Sequence, residues 1–526
     1  MRSRVRLSCL TLTCLPPLAL LLSACPSDQE KEEKKCEGYI STPSAGFPSF
    51  IENPADASPS VSFQVCDSKA VDLNGDGLLD FITADHINPG FGYFMSPSDG
   101  DPPFEQGVSV PFVSADATNS AGIVAADYNG DGIPDVANSD HGSNHNGGAI
   151  TVRINATPVG ASIDAVSFPE TGETTISLGL ETDPDHVHGF AGVEGGLISA
   201  DFNGDGKVDI ATANLSPTAA DGNINASFLL NTTQDPTMDG MGNSIYPSVA
   251  TFAAVQNVEL PAAAISIDSA DFNGDGKPDV VTSNTAGSSL SILTNMTADG
   301  SATISFPNRL DLTIPAPGND AGAGPTNPVA ADFNGDGKPD VASANWNVDT
   351  VTIFTNTTPD GGTTSFTADP FIVELCFNPL VLRTGDLDND GDLDLAIVPL
   401  DILSQIAVAL IENQTEAGSD IPQFALVDII YLPERMHEVT FADWLFGGSG
   451  NSPDVWFTST GNIADFDNDG SLDIVAAVAK GGFSIEAQAH LQKTDNILEY
   501  VQPPVSLAIA NIFLPRHTEV IQLVQE

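Results

Sequence analysis

Asp271-Phe-Asn-Gly-Asp-Gly-Lys-Pro-Asp279 is the stretch that decides the fold, because it does not stand alone. The same nonapeptide returns unchanged at Asp332 and as close variants at Asp72 (DLNGDGLLD), Asp127 (DYNGDGIPD), Asp201 (DFNGDGKVD), Asp386 (DLDNDGDLD) and Asp465 (DFDNDGSLD). Successive starts are 55, 74, 70, 61, 54 and 79 residues apart, a spacing that chance does not produce and that marks a repeat array. Every copy has aspartate at its first, fifth and ninth positions, and asparagine or aspartate at its third. Alternate oxygens on a tightly curled loop converge on one hard cation, and the glycine at position six permits the turn that wraps them round it. No cysteine or histidine takes part, which argues against zinc, and an all-oxygen set rich in carboxylates fits Ca²⁺ better than Mg²⁺.

The expected ligands, loop by loop, are Asp72, Asn74, Asp76 and Asp80; Asp127, Asn129, Asp131 and Asp135; Asp201, Asn203, Asp205 and Asp209; Asp271, Asn273, Asp275 and Asp279; Asp332, Asn334, Asp336 and Asp340; Asp386, Asp388, Asp390 and Asp394; and Asp465, Asp467, Asp469 and Asp473. Up to seven Ca²⁺ ions are expected, each bound weakly, on the order of 10⁻⁴ to 10⁻³ M as in extracellular modules. Position seven varies (Leu78, Ile133, Lys207, Lys277, Lys338, Asp392, Ser471), as it would if only its carbonyl coordinates. The loops begin like EF-hands, but position twelve is Thr83, Asn138, Thr212, Thr282, Ser343, Ile397 or Ala476 and never glutamate. The residues after each loop are β-type, as in Asp279-Val-Val-Thr-Ser283, so helix pairs are rejected.

A short strand of small and β-branched residues precedes each loop (Ile123 to Asp127, Pro328 to Asp332), and a second comes after it. A third (Ile150 to Ile154, Leu290 to Leu293, Val351 to Phe354) ends at an Asn-x-Thr turn, and a fourth is expected at Phe104, Phe168, Phe252, Phe306, Phe366 and Phe424. Position two (Leu73, Tyr128, Phe202, Phe272, Phe333, Leu387, Phe466) is the expected core anchor. Asn-x-Thr at Asn155, Asn231, Asn295, Asn356 and Asn413 reads as turn chemistry rather than as glycosylation sites. Four short strands per unit, repeated without helical periodicity, read as an all-β, seven-bladed β-propeller with one calcium loop per blade. Phe47 to Phe50 are expected to close the ring as the outer strand of the last blade, whose other strands would come from about Ile463 to Leu491; a strand at Leu498 to Val501 is the rival. Residues 430–455, with Trp444 and Gly447 to Gly450, read as an insertion.

On DxNGDGxxD the chain resembles the VCBS/FG-GAP repeat family, which includes the integrin α-chain propeller; the resemblance spans about residues 46 to 480. The Phe-Gly and Gly-Ala-Pro elements that name the FG-GAP group are absent, so the likeness is nearer the bacterial VCBS type. At the other end of the chain, Arg2, Arg4 and Arg6 precede an apolar run from Leu7 to Leu22, interrupted by Pro16 and Pro17 and ending in Leu22-Ser23-Ala24-Cys25. This resembles the lipobox of bacterial lipoproteins, which implies a signal peptide over 1–24, lipid on Cys25, a tether over 25–45 that includes the charged run Asp28 to Lys35, and a propeller over 46–526. The implied location is the bacterial cell envelope, anchored by lipid at the outer membrane on its periplasmic or surface side. Outside the leader and lipobox, Cys36 and Cys66 are available for a disulfide in an oxidising compartment, which would leave Cys376 buried and reduced.

The chain has 17 Lys plus Arg against 71 Asp plus Glu, a net charge of −54. That excludes ordinary nucleic-acid binding, since a phosphate backbone needs a basic surface. Strands that alternate in direction put the acidic loops on one face and the irregular loops on the other, where a protein or polysaccharide partner would bind. That second face is expected to carry His141, His145, Asp183, Asp185, His186 and His188, open to reading as solvated turn residues or as a metal or substrate site. Phe91, Tyr93, Phe94 and Trp346 are read as packing residues before they are read as stacking platforms. Neither GxSxG nor HExxH occurs, and no nucleophile motif is present. The leading expectation is a calcium-binding adhesion or binding module; a polysaccharide lyase or hydrolase and a purely structural envelope component stay open beside it.

Overall fold

The computed structural model describes residues 36, 38–44, 47–48, 50–52, 60–61, 65–85, 90–96, 107–114, 120–140, 148–158, 167–178, 196–214, 225–239, 241–316, 322–359, 362–399, 406–416, 419, 421–431, 455–465, 471–483 and 513–525. Two short strands come first, β1 (Phe50–Glu52) and β2 (Ser60–Val61). Blade one is β3 (Val65–Val71), β4 (Asp80–Asp85), β5 (Gly90–Phe94) and β6 (Val108–Pro111). Blade two is β7 (Ser120–Ala126), β8 (Asp135–Asp140), β9 (Ala149–Arg153) and β10 (Glu173–Ser177). Blade three is β11 (Leu197–Ala200), β12 (Asp209–Ala213), β13 (Asn225–Leu229) and, after a hairpin of β14 (Thr237–Met238) and β15 (Ser244–Ile245), β16 (Gln256–Glu259). Blade four is β17 (Ser266–Ala270), β18 (Asp279–Asn284), β19 (Ser289–Thr294) and β20 (Asn308–Thr313). Blade five is β21 (Pro325–Ala331), β22 (Asp340–Asn345), β23 (Thr350–Phe354) and β24 (Phe371–Glu374). Blade six is β25 (Pro379–Gly385), β26 (Asp394–Pro399), β27 (Ile406–Asn413) and β28 (Phe424–Tyr431).

Within each blade the strands pair antiparallel in chain order from the axis outward. The second and third strands are buried on both sides, as in β18, β22, β26 and β27, because neighbouring blades cover both faces. β26 and β27 accordingly read as nearly continuous apolar runs, whereas β18 and β22 also bury Thr282, Ser283, Asn284, Ser343 and Asn345. The outer strands β16, β20 and β24 alternate between half-buried and exposed positions or nearly so, as an edge facing water does. The core is a series of seams between blades: Phe202 and Phe228 of blade three meet Ile267 and Val280 of blade four, and Phe272 and Ile292 of blade four meet Val341 and Phe354 of blade five.

The expectation of a seven-bladed propeller is corrected: among the described residues the structure has six four-stranded blades, not seven. The seventh acidic motif does lie between two strands, β29 (Val455–Ala464) and β30 (Asp473–Phe483), but these are not completed locally. Their partner is β31 (Phe513–Gln525), on which both β1 and β2 pair, so the order is β29-β30-β31-β1 with β2 also on β31. This composite sheet fits between blade six and blade one, with β29 against both β25 and β3. The N-terminal outer strand expected at Phe47 to Phe50 begins only at Phe50, as β1 (Phe50–Glu52), and the third strand is Phe513–Gln525 rather than residues before Leu491. Leu498 to Val501, most of 430–455 and the leader with Cys25 lie outside the described residues.

The cysteine pairing is also corrected. Cys36 bonds Cys376, with Cα atoms 5.3 Å apart and 340 residues between them. Cys66 lies in β3. The bond belongs to a strap that runs over blade six: Tyr39 packs into its core, Ser41 N–H donates to the Leu426 carbonyl, and Ser44 N–H donates to both Glu412 carboxylate oxygens at 2.9 and 3.0 Å. Of the residues expected as tether, Cys36, Tyr39, Ser41 and Ser44 thus make contact with the blades. Among the described residues no helix is long and apolar enough to cross a membrane.

Candidate metal centres

The loop between β7 and β8 shows how each acidic nonapeptide is built. Asp127 turns its carboxylate back over its own loop, where Oδ1 accepts N–H bonds from Gly130 and Asp131 and Oδ2 one from Gly132. Asn129 Oδ1 accepts from Asp131 N–H at 2.9 Å, and Asp131 Oδ1 from Ile133 N–H at 2.9 Å. These are the local Asx bonds that compete with regular structure and hold a turn. The first carboxylate accepts from positions five and six in the loops at Asp72, Asp201, Asp271, Asp332 and Asp386 as well. Position six is glycine with φ from 84° to 99° in all six loops. Position four is equally left-handed: Gly75, Gly130, Gly204, Gly274 and Gly335 have φ of 65° to 80°, and Asn389 takes 58° in their place. Asparagine is the side chain that best tolerates that region, so both residue types report one backbone requirement.

Each loop runs from water into the core. Position five is exposed in five of these loops and half-buried at Asp131, position one is half-buried, and position nine is buried. The described anchors at position two, Leu73, Tyr128, Phe202, Phe272, Phe333 and Leu387, are buried; Phe466 lies outside the described residues. The ninth-position aspartate has two jobs. Its Oδ2 accepts the N–H of position two, as in Asp135 with Tyr128 at 2.9 Å, and its Oδ1 accepts the N–H of the Asn-x-Thr asparagine, as in Asp135 with Asn155 at 2.8 Å. Burial pushes Asp80, Asp209, Asp279, Asp340 and Asp394 up to about 7 and Asp135 up to about 8, with the other loop carboxylates adding to the rise and the backbone N–H bonds opposing it. A nearby cation would favour the charged form.

In the sixth loop Asp386, Asp388 and Asp394 each place one carboxylate oxygen within 4.8 Å of the others. Here aspartate replaces the asparagine of position three. In four other loops that asparagine donates from Nδ2 to the position-five carboxylate, as Asn129 does to Asp131 at 3.0 Å. All-oxygen donors, with the carboxylates of Asp386, Asp388, Asp390 and Asp394 each held by backbone N–H groups, fit a hard divalent ion. In the seventh loop Asp465 and Asp473 are described, while Asp467 and Asp469 lie outside the described residues.

Two groups of residues at these loops were not legible as such. Lysine at position seven is not merely a carrier of a carbonyl: Lys207, Lys277 and Lys338 donate from Nζ to the carbonyls of Thr233, Thr297 and Thr358, tying each loop to the Asn-x-Thr turn of its own blade. The asparagines of those turns are buried, Asn155 and Asn295 completely. Each donates both Nδ2 hydrogens to carbonyls, one in its own loop and one at position two of the preceding blade's loop. Asn295 reaches Pro278 at 3.1 Å and Phe202 at 2.9 Å; Asn356 reaches Pro339 and Phe272, both at 2.9 Å. An amide so occupied is no glycan acceptor, in line with the turn reading. The phenylalanines also move relative to expectation. Phe168, Phe252, Phe306 and Phe366 precede the outer strands instead of lying in them, and only Phe424 opens one. Their rings turn inward onto the neighbouring blade, Phe252 on Tyr128, Phe366 on Phe272 and Phe424 on Phe333. Phe104 lies outside the described residues.

On the opposite face, Phe91, Tyr93 and Phe94 are buried in β5, and Trp346 packs against Leu380, Val381 and Val398, so all four serve packing. His141, His145, Asp183, Asp185, His186 and His188 lie outside the described residues.

A family model described as FG-GAP-like repeat matches residues 72–137, 201–282, 271–343 and 332–397, together half of the chain. No curated protein matches. Among solved structures, the chain is similar to BBS1N, crystallised in complex with ARL6DN, at 12% identity and a TM-score of 0.43, over 90% of this chain and 96% of that one. It is also similar to a putative 6-phosphogluconolactonase from Bacteroides uniformis, at 12% identity and a TM-score of 0.42, over 78% of this chain and 93% of that one.

Proposed function

Because the chain belongs to the FG-GAP-like repeat family, we propose that it is a calcium-braced propeller, held at the bacterial cell envelope by lipid on Cys25, that acts as a binding or adhesion module. The observation that carries the calcium reading is the convergence of Asp386, Asp388 and Asp394 oxygens in the sixth loop, on the plan that the five preceding loops repeat. In each loop the residues at positions one, three, five and nine would hold the ion, together with the position-seven carbonyl. Bound there, Ca²⁺ supplies positive charge to carboxylates that burial otherwise drives toward protonation. The chain's own part is to hold the first carboxylate with backbone N–H bonds and to bring the ninth to the loop from the start of the next strand.

Antiparallel pairing supports the division of faces. Loops between first and second strands lie on the same side as turns between third and fourth, where Asn155 meets Asp135. The other side carries the second-to-third strand turns, such as Thr285–Gly287 and Trp346–Val348, and is the face assigned to a protein or polysaccharide partner. The purified full chain should bind Ca²⁺ saturably in equilibrium dialysis, with up to seven ions per chain, and should melt substantially lower in excess EGTA. Absence of bound ions at millimolar Ca²⁺, with an unchanged melt, would refute the reading.

A further inference from the structure

The clamp asparagines do more than close turns, because their bonds run end to end. Starting from Asp394, Oδ1 accepts Asn413 N–H at 2.8 Å, and Asn413 Nδ2 donates to the Phe333 carbonyl at 2.8 Å. Phe333 N–H donates to Asp340 Oδ2 at 3.2 Å, whose Oδ1 accepts from Asn356. Asn356 then bonds the Phe272 carbonyl, Phe272 N–H bonds Asp279, and Asp279 accepts from Asn295. The sequence repeats through Phe202, Asp209 and Asn231, and through Tyr128, Asp135 and Asn155, to Leu73 and Asp80. Each link alternates between a ninth-position carboxylate of one loop and the position-two peptide of the loop before it. Position two lies between positions one and three, so the asparagine fixes the backbone that carries two ligands of one loop while holding the carboxylate of the next.

The chain stops in blade one. There Ser96 stands where the asparagine would: its N–H donates to Asp80 Oδ1 at 2.9 Å, and its hydroxyl donates to the Leu79 carbonyl at 2.5 Å. A serine hydroxyl has one hydrogen, which this bond uses. An asparagine has two, and the second spans to the neighbour.

We infer that Asn155, Asn231, Asn295, Asn356 and Asn413 are positioning residues that couple the six acidic loops from Asp72 to Asp394, so that filling one loop orders its neighbours for Ca²⁺ and the ions load cooperatively in a line rather than independently. The inference rests on the calcium reading above. The coupling is positional, since one side chain holds parts of two loops, and a coupling is reciprocal between the sites it joins.

Calorimetric or dialysis titration of the full chain with Ca²⁺ tests it. The wild-type isotherm should have a Hill coefficient above unity. Asn295→Ser, which keeps the bond within its own loop and loses the one to Phe202, should cut the line into two halves, lowering the Hill coefficient and weakening the midpoint by about fivefold, the lower end of ordinary coupling. Thr297→Ala removes a bond from the same turn, Ser305 N–H to Thr297 Oγ1 at 2.9 Å, without touching the clamp; it should lower the melting temperature and leave the Hill coefficient alone. Asn413→Ser, at the end of the line, serves if Asn295→Ser does not fold. Independent sites in the wild type, or variants whose cooperativity matches it, overturn the coupling while leaving the calcium reading intact. No Ca²⁺ bound by the wild type removes both.

Discussion

Blades two to six and the composite sheet answer one need, a sheet that fits between two others round an axis, with different materials. Blade four draws its four strands from Ser266 to Thr313, a single local stretch, and joins blade three through Asn295 and Phe306. The composite sheet draws on residues 50–52, 60–61, 455–464, 473–483 and 513–525, while a disulfide across 340 residues ties the leading strap to the connection between blades five and six. Local units can form as their residues emerge and then dock on a neighbour. The closing sheet cannot, because β1 has no partner until β31 exists. The repeat supplies the array, and the chain ends supply the closure.

Removing the closing strand should have the largest effect. A chain ending at residue 511 leaves β30 and β1 without β31; it should lose its single cooperative melt and run as an expanded or self-associating species on size exclusion. If it stays compact and monomeric with a sharp melt, the blades close the ring without that strand. Next comes Cys376→Ser, which frees the strap from blade six. Native disulfides typically contribute about 2–5 kcal/mol, so the melt should fall by several degrees while the Ca²⁺ stoichiometry holds.

A smaller effect is expected from the buried aspartates of the repeated loops. Their pKa values are raised in the folded chain, so the folded state binds protons more tightly than the unfolded one between the ordinary aspartate range and about 7. In EGTA, stability should therefore decline as pH rises from 5.5 to 7.5, and saturating Ca²⁺ should flatten that slope. A chelated protein that gains stability over the same interval would contradict the burial of these groups.

The smallest change should stabilise. Asn138 is buried in β8 with neither amide atom hydrogen-bonded, while the matching residues of blades one, three and four are Thr83, Thr212 and Thr282. Asn138→Thr should raise stability by about 1 kcal/mol, read from a denaturant midpoint, by removing uncompensated polar groups from the seam.

Much of the array was legible because its signals are local. Asp271 to Asp279 names its own turn, Phe272 announces an anchor, and Leu290 to Leu293 fall within β19. Position four is glycine five times and asparagine twice, at Asn389 and Asn468, in the sequence, but backbone angles were needed to recognise the left-handed requirement there. Other features depend on partners that no periodicity reveals. Asn295 looks like a turn residue until the Phe202 carbonyl, 93 positions earlier, is set beside it. Cys36 gives no sign that Cys376 rather than Cys66 faces it. The blade count failed for the same reason: Asp465 to Asp473 repeats the motif, yet the strands that would complete a seventh blade come from opposite ends of the chain.

The strap gives the molecule a mechanical hitching point. Tension applied to the chain ahead of Cys36 reaches the ring through a covalent bond at Cys376, in the connection between β24 and β25, before it can reach β1. The three-residue pairing of β1 with β31, which would unzip under a modest tug, is thus kept slack. Whatever pulls on the leading end hauls on the joint between the fifth and sixth blades and leaves the seam of the ring unloaded.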